Sequence, residues 1–102
     1  MRSLRAKLKS SMRYSSLTGE LTWFVPPVNQ EILRGKLVGY VHKRRGVCRM
    51  TTNFDGRKVD NHILVWIWHH GTYPERDIRH INGDLMDNRI ENLEMISAKE
   101  QS

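Results

Sequence analysis

The sequence predicts a single α+β domain, built from an antiparallel β meander, a core helix and a C-terminal strand–loop–strand–helix unit. Three observations carry this. Residues 36–59 alternate apolar and polar positions around two turn signals, Lys43-Arg44-Arg45-Gly46 and Asn53-Phe54-Asp55-Gly56. Residues 61–70 form a run that is apolar around most of its circumference and is closed by Gly71. Residues 78–96 set two short strand-like segments on either side of a loop crowded with Asn, Asp and Gly.

Taken in order, Ser3 to Arg13 can form a short basic helix. Leu4, Leu8 and Met12 recur at helical spacing with Arg5, Lys7, Lys9 and Arg13 around them, although a frayed basic tail fits as well. Thr18-Gly19 reads as a turn into a strand over Glu20–Val25, where Leu21 and Trp23 alternate with polar neighbours and Pro26-Pro27 ends the run. The meander follows as Lys36–His42, with Leu37, Gly39 and Val41 on one face, then Val47–Thr52 and Arg57–Val59. Asn61–His70 is ambiguous by periodicity, since Ile63, Val65 and Ile67 fit a strand. Its length, an Asp60 or Asn61 N-cap and a Gly71 C-cap favour a helix, which Tyr73-Pro74 closes off. Ile78–Ile81 and Leu93–Ile96 are the last strands, and Ser97 can cap a helix beginning at Ala98.

Composition narrows the functional classes. A chain of 102 residues allows one domain, and its longest apolar run, Ile63–Trp68, is far short of the roughly 20 residues a membrane span requires. Leu4–Met12 lacks the continuous apolar stretch of a secretory signal. Cys48 is the only cysteine, which excludes an internal disulfide and a multi-cysteine zinc site and fits a reducing cytoplasm. Charge is unevenly spread. Residues 1–59 carry thirteen Lys and Arg against Glu20, Glu31 and Asp55, while residues 74–102 carry four basic and seven acidic side chains. A basic half suits a phosphate-bearing partner, although a solvated surface of the same composition needs none.

The segment His80-Ile81-Asn82-Gly83-Asp84, followed by Asp87-Asn88-Arg89-Ile90-Glu91-Asn92-Leu93, closely resembles the HNH endonucleases of phages and group I introns. The resemblance extends upstream through Thr18-Gly19-Glu20-Leu21-Thr22-Trp23, Gly39-Tyr40, His62–Trp66, His70-Gly71 and Pro74, and so covers roughly residues 14–101. It implies a ββα-metal (His-Me finger) unit at 76–102, preceded by a core helix and connector at 60–75 and a basic, β-rich DNA-binding part at 1–59. It also implies phosphodiester hydrolysis with one divalent ion, Mg²⁺ or Mn²⁺, and a host-cell cytoplasmic location.

His80 then takes the general-base role, for which an imidazole titrating near neutrality is suited. Asn92 takes the structural role of tying the loop to the strand that bears the base. His62, Asn82, Asp84 and Asn88 are supporting residues. Lys43, Arg44, Arg45, Arg49 and Arg57, with Arg79 and Arg89 beside the motif, are the candidates for DNA contact. Two positions depart from the family pattern. Arg79 stands where many members place an Asp ligand, and Gln101, twenty-one residues after His80, stands where Asn or His is usual. Gln101 is thus the expected metal ligand. The departures leave a second reading, an HNH scaffold retained as a DNA-binding or protein-interaction module.

Overall fold

The computed structural model describes residues 3–54 and 56–97. Helix α1 (Leu4–Ser11) begins where the Ser3 side chain accepts the Ala6 N–H at 3.1 Å. Leu8 and Met12 are fully buried, so the spacing that predicted a helix does mark its apolar face. The chain leaves the helix earlier than the pattern suggested. Met12 is extended and opens β1 (Met12–Tyr14), which pairs antiparallel with β2 (Leu21–Trp23) in a hairpin. An extended Met12 reaches the same core as a helical one, which is why periodicity did not separate them.

After β2, a 3₁₀ turn at Glu31–Leu33 leads to a segment that bridges back to β2, with the Val38 N–H donating to Leu21 O at 2.8 Å. The strand expected over 36–42 is broken at Gly39, whose φ is 91°. Val38 is 1% exposed, whereas Leu37 and Val41, read as one inward face, are 48% and 55% exposed. A Cβ on Gly39 would sit 2.6–2.9 Å from Thr52 Oγ1, Thr51 O and Asn61 Oδ1. Glycine lets the chain pass there, and the bend resets side-chain parity.

The meander itself is as expected: β3 (Tyr40–Arg44), β4 (Val47–Phe54) and β5 (Arg57–Asp60) form one antiparallel sheet in that order. The first turn is tighter than predicted. Only Arg45 and Gly46 lie between the paired Arg44 and Val47, both with positive φ (54° and 80°), as a type I′ turn demands. Lys43 and Arg44 therefore belong to the strand.

Helix α2 (Asn61–His70) follows β5 directly, and Gly71 terminates it at φ 88° with its N–H bonded to Ile67 O. Asp60 stands at the N-cap but makes no capping bond; the Asn61 amide instead donates to Val38 O at 3.0 Å and accepts from Thr52 Oγ1. Leu64, Val65 and Ile67 are completely buried in a single core with Leu8, Met12, Leu21, Val38, Phe54, Val59 and Leu93. Each such side chain contributes about 1.5–3 kcal/mol of burial free energy, so α2 is the element on which the fold is assembled. Among the described residues no helix is long and apolar enough to cross a membrane.

The last pair is β6 (Ile78–His80) and β7 (Leu93–Met95), antiparallel, with Arg79 opposite Glu94 and His80 opposite Leu93. The loop between them, residues 81–92, ends in a 3₁₀ turn at Ile90–Asn92. The helix expected from Ala98, and Gln101 on it, lie outside the described residues.

Candidate active site

His80 is the last residue of β6 and is 8% exposed. Its Nε2 lies 2.7 Å from Asn88 Oδ1. An amide oxygen accepts only, so Nε2 is the donor in this contact, and in the neutral ring the lone pair is then on Nδ1. The ring of His62, from the first turn of α2, stands edge-on to that of His80 with centroids 5.0 Å apart. Burial, reinforced by the proximity of His80, lowers the His62 pKa from 6.5 to about 4, so this neighbour is neutral near pH 7.

Short side-chain contacts shape the loop. Asn92, buried, accepts the Asn82 N–H at 3.0 Å and donates through Nδ2 to Asn82 Oδ1 (3.0 Å) and Asp87 O (2.8 Å). Asn82 also accepts the Asp84 N–H and donates to Asp87 Oδ2, while Asp84 accepts the Met86 N–H. Arg89 donates to both oxygens of Asp87 at 2.9 Å, which holds that carboxyl well below the usual carboxylate range. Asn92 thus draws the two ends of the loop together, with the Ile81 N–H donating to Asn92 O at 2.8 Å.

His80 opens into a cleft of about 1400 Å³ between the meander and the β6–β7 pair. One wall is the β3–β4 ribbon, and strand alternation decides which of its cations take part. His42, Arg44, Val47, Arg49 and Thr51 share the cleft face, joined by Arg45 at the tip and by Arg57 and Lys58 of β5. Lys43, paired with Cys48, is on the opposite face. The other wall presents Arg76, Asp77, Arg79 and His80. Arg49 bonds Asp60 at 3.3 Å, Arg57 lies over the Tyr73 ring, and Arg79 is paired with Glu94 at 2.9 Å. Arg89 does not line the cleft; its charge is directed at Asp87 and Glu91.

Among the described residues no three His, Cys, Asp or Glu side chains converge to hold a metal ion. Asp60, in the cleft, already accepts from Arg49 and Thr51, and position 79 carries a cation. The described residues alone therefore do not make the oxygen-rich donor set a hard divalent ion requires.

Two contributors escaped the sequence reading. Tyr14 Oη accepts the Ile90 N–H at 2.9 Å, and Gly19 packs directly on the Asn88–Arg89 peptide. Both reach across about seventy residues of sequence, and Thr18-Gly19 announced only a local turn.

The described residues thus bring together a buried histidine, a polar loop that anchors it and a basic cleft. Residues 60–102, 43 of the 102 in the chain, match the family model described as HNH endonuclease. This supports a nuclease-type function. No curated protein and no solved structure matches the chain.

Proposed function

We propose that the protein is an HNH-type DNA endonuclease in which His80 is the general base. The observation that carries this reading is the contact at the His80 ring: Nε2 lies 2.7 Å from Asn88 Oδ1, His80 lines a cleft with several arginines, and a ring held in this way has Nδ1 to offer as the base. A DNA strand laid in the cleft brings its phosphates to Arg44, Arg45, Arg49 and Arg57. His80 Nδ1 accepts a proton from water as the water attacks phosphorus and the bond to the 3′ oxygen breaks. Asn92 and Asn88 hold the loop and the ring, and neutral His62 flanks the base without adding charge.

The resemblance implies one divalent ion, Mg²⁺ or Mn²⁺, with Gln101 among its ligands, and a phage or intron setting. The test is incubation with supercoiled plasmid in Mg²⁺ or Mn²⁺, with and without EDTA. Nicking that EDTA suppresses and His80→Ala abolishes is the expected result. The Arg79–Glu94 pair, at the position where a carboxylate ligand is usual, favours a second reading as a DNA-binding module. Gel-shift binding with no cleavage in any divalent ion would select it.

A further inference from the structure

The segment that matches the family model begins at residue 60, yet the loop that holds His80 is braced from outside it. Gly19, in the turn of the β1–β2 hairpin, is buried with φ 75°. A Cβ there would lie 2.2 Å from Arg89 N and 2.3 Å from Asn88 C, so the two backbones are in direct contact. Tyr14, on the other strand of the hairpin, accepts the Ile90 N–H at 2.9 Å. Its ring is itself seated edge-on against His69 of α2, with centroids 4.8 Å apart. These contacts flank residues 88–90, whose first member presents its amide oxygen 2.7 Å from His80 Nε2. Asn92 secures the loop elsewhere, at Asn82 and Asp87.

We infer that the β1–β2 hairpin is a positioning element of the active site: Gly19 and Tyr14 set residues 88–90, Asn88 sets the His80 ring, and Nδ1 is thereby aimed into the cleft. Asn88, Gly19 and Tyr14 act through His80 and touch no substrate. A loop residue that merely folded well would leave the imidazole free to turn about its Cβ–Cγ bond. Here the Nε2–H bond to Asn88 removes that freedom before substrate arrives, which preorganises the base. The catalytic meaning of the inference rests on the proposed role of His80, but the ring's state can be read without any activity.

The experiment uses the full chain labelled with ¹⁵N-histidine and follows the His80 Nε2–H signal and its exchange with water at neutral pH. The wild type is expected to show a protected Nε2–H. Asn88→Ala is expected to lose the signal, and Asn88→Asp, which keeps an acceptor, to retain it. Gly19→Ala and Tyr14→Phe are expected to speed exchange at least roughly tenfold, with DNA affinity unchanged and nicking slower by roughly 10- to 100-fold. Gly35→Ala is the control, because Gly35 has φ 80° but open space around its Cβ position, and it is expected to leave the signal unchanged. If Gly19→Ala fails to fold, Tyr14→Phe carries the test. Folded Gly19→Ala or Tyr14→Phe proteins with wild-type protection overturn the bracing, and protection retained in Asn88→Ala overturns the link to His80. If the wild type does not nick DNA, the proposed function falls while the imidazole measurement still decides this inference.

Discussion

The meander that walls the cleft and the loop that holds His80 behind it are built by opposite means. The β3–β4–β5 meander is held by its backbone ladder, so Lys43, Arg44 and Arg45 extend into solvent from positions that alternation alone assigns. The loop 81–92 has no ladder of its own. It uses Asn82, Asp84, Asp87, Asn88, Arg89 and Asn92 on itself and on His80. Polar side chains thus do two different jobs: in the meander they are available to a partner, and in the loop they replace secondary structure. Substitutions of the exposed meander cations should change binding with little effect on stability, and substitutions in the loop should change geometry and stability together.

The largest expected effect is His80→Ala, which should lower plasmid nicking by about 10²–10⁴-fold and, because it strands the buried Asn88 amide, also cost about 1–3 kcal/mol in urea unfolding. Next is Asn92→Ala in the loop. It strands the Asn82 N–H and Asp87 carbonyl in a part-buried setting and should cost roughly 1–3 kcal/mol in urea unfolding, together with loss of nicking.

The pH dependence of stability comes from α2, beneath the cleft. The folded state holds His62 near pKa 4 against 6.5 when unfolded, so it favours the neutral ring. That contribution is fully present above pH 6.5 and is lost as pH falls towards 4, where the unfolded chain binds the extra proton first. Stability should drop by on the order of 1–2 kcal/mol across that window, because the ring remains partly solvated, and His62→Gln should flatten the profile. On the meander wall, Arg44→Ala with Arg45→Ala should reduce the slope of log affinity against log salt by about two, with a stability change within about 0.5 kcal/mol. The smallest effect sharpens the role of strand parity: Lys43→Ala should weaken DNA binding less than Arg44→Ala, because Lys43 is on the face away from the cleft. Equal losses in gel shift would mean that the duplex wraps the ribbon instead of lying in the cleft.

Much of this was legible residue by residue. Gly71 and the apolar run before it marked α2, Lys43-Arg44-Arg45-Gly46 marked the β3–β4 turn though two residues too wide, and the His80–Leu93 spacing marked the strand–loop–strand unit. Each of those signals is local, since a cap, a turn or an alternating strand is decided within a few residues. The misreadings were of another kind. Met12 is compatible with a helix end or a strand start, and Gly39 gives no local sign that Asn61 and Thr51 crowd its missing Cβ.

The amino-acid sequence by itself therefore determined the meander, the core helix, the polar loop and the histidine that faces the cleft, because propensity and periodicity act over a turn or a strand. Only the tertiary structure decided which arginines share the cleft with His80, that Arg79 and Arg89 are drawn to Glu94 and Asp87, and that Gly19 and Tyr14 back the loop that holds the ring. Those outcomes depend on strand parity after a bend and on contacts across some seventy residues, which are settled when the elements pack around α2 and not before.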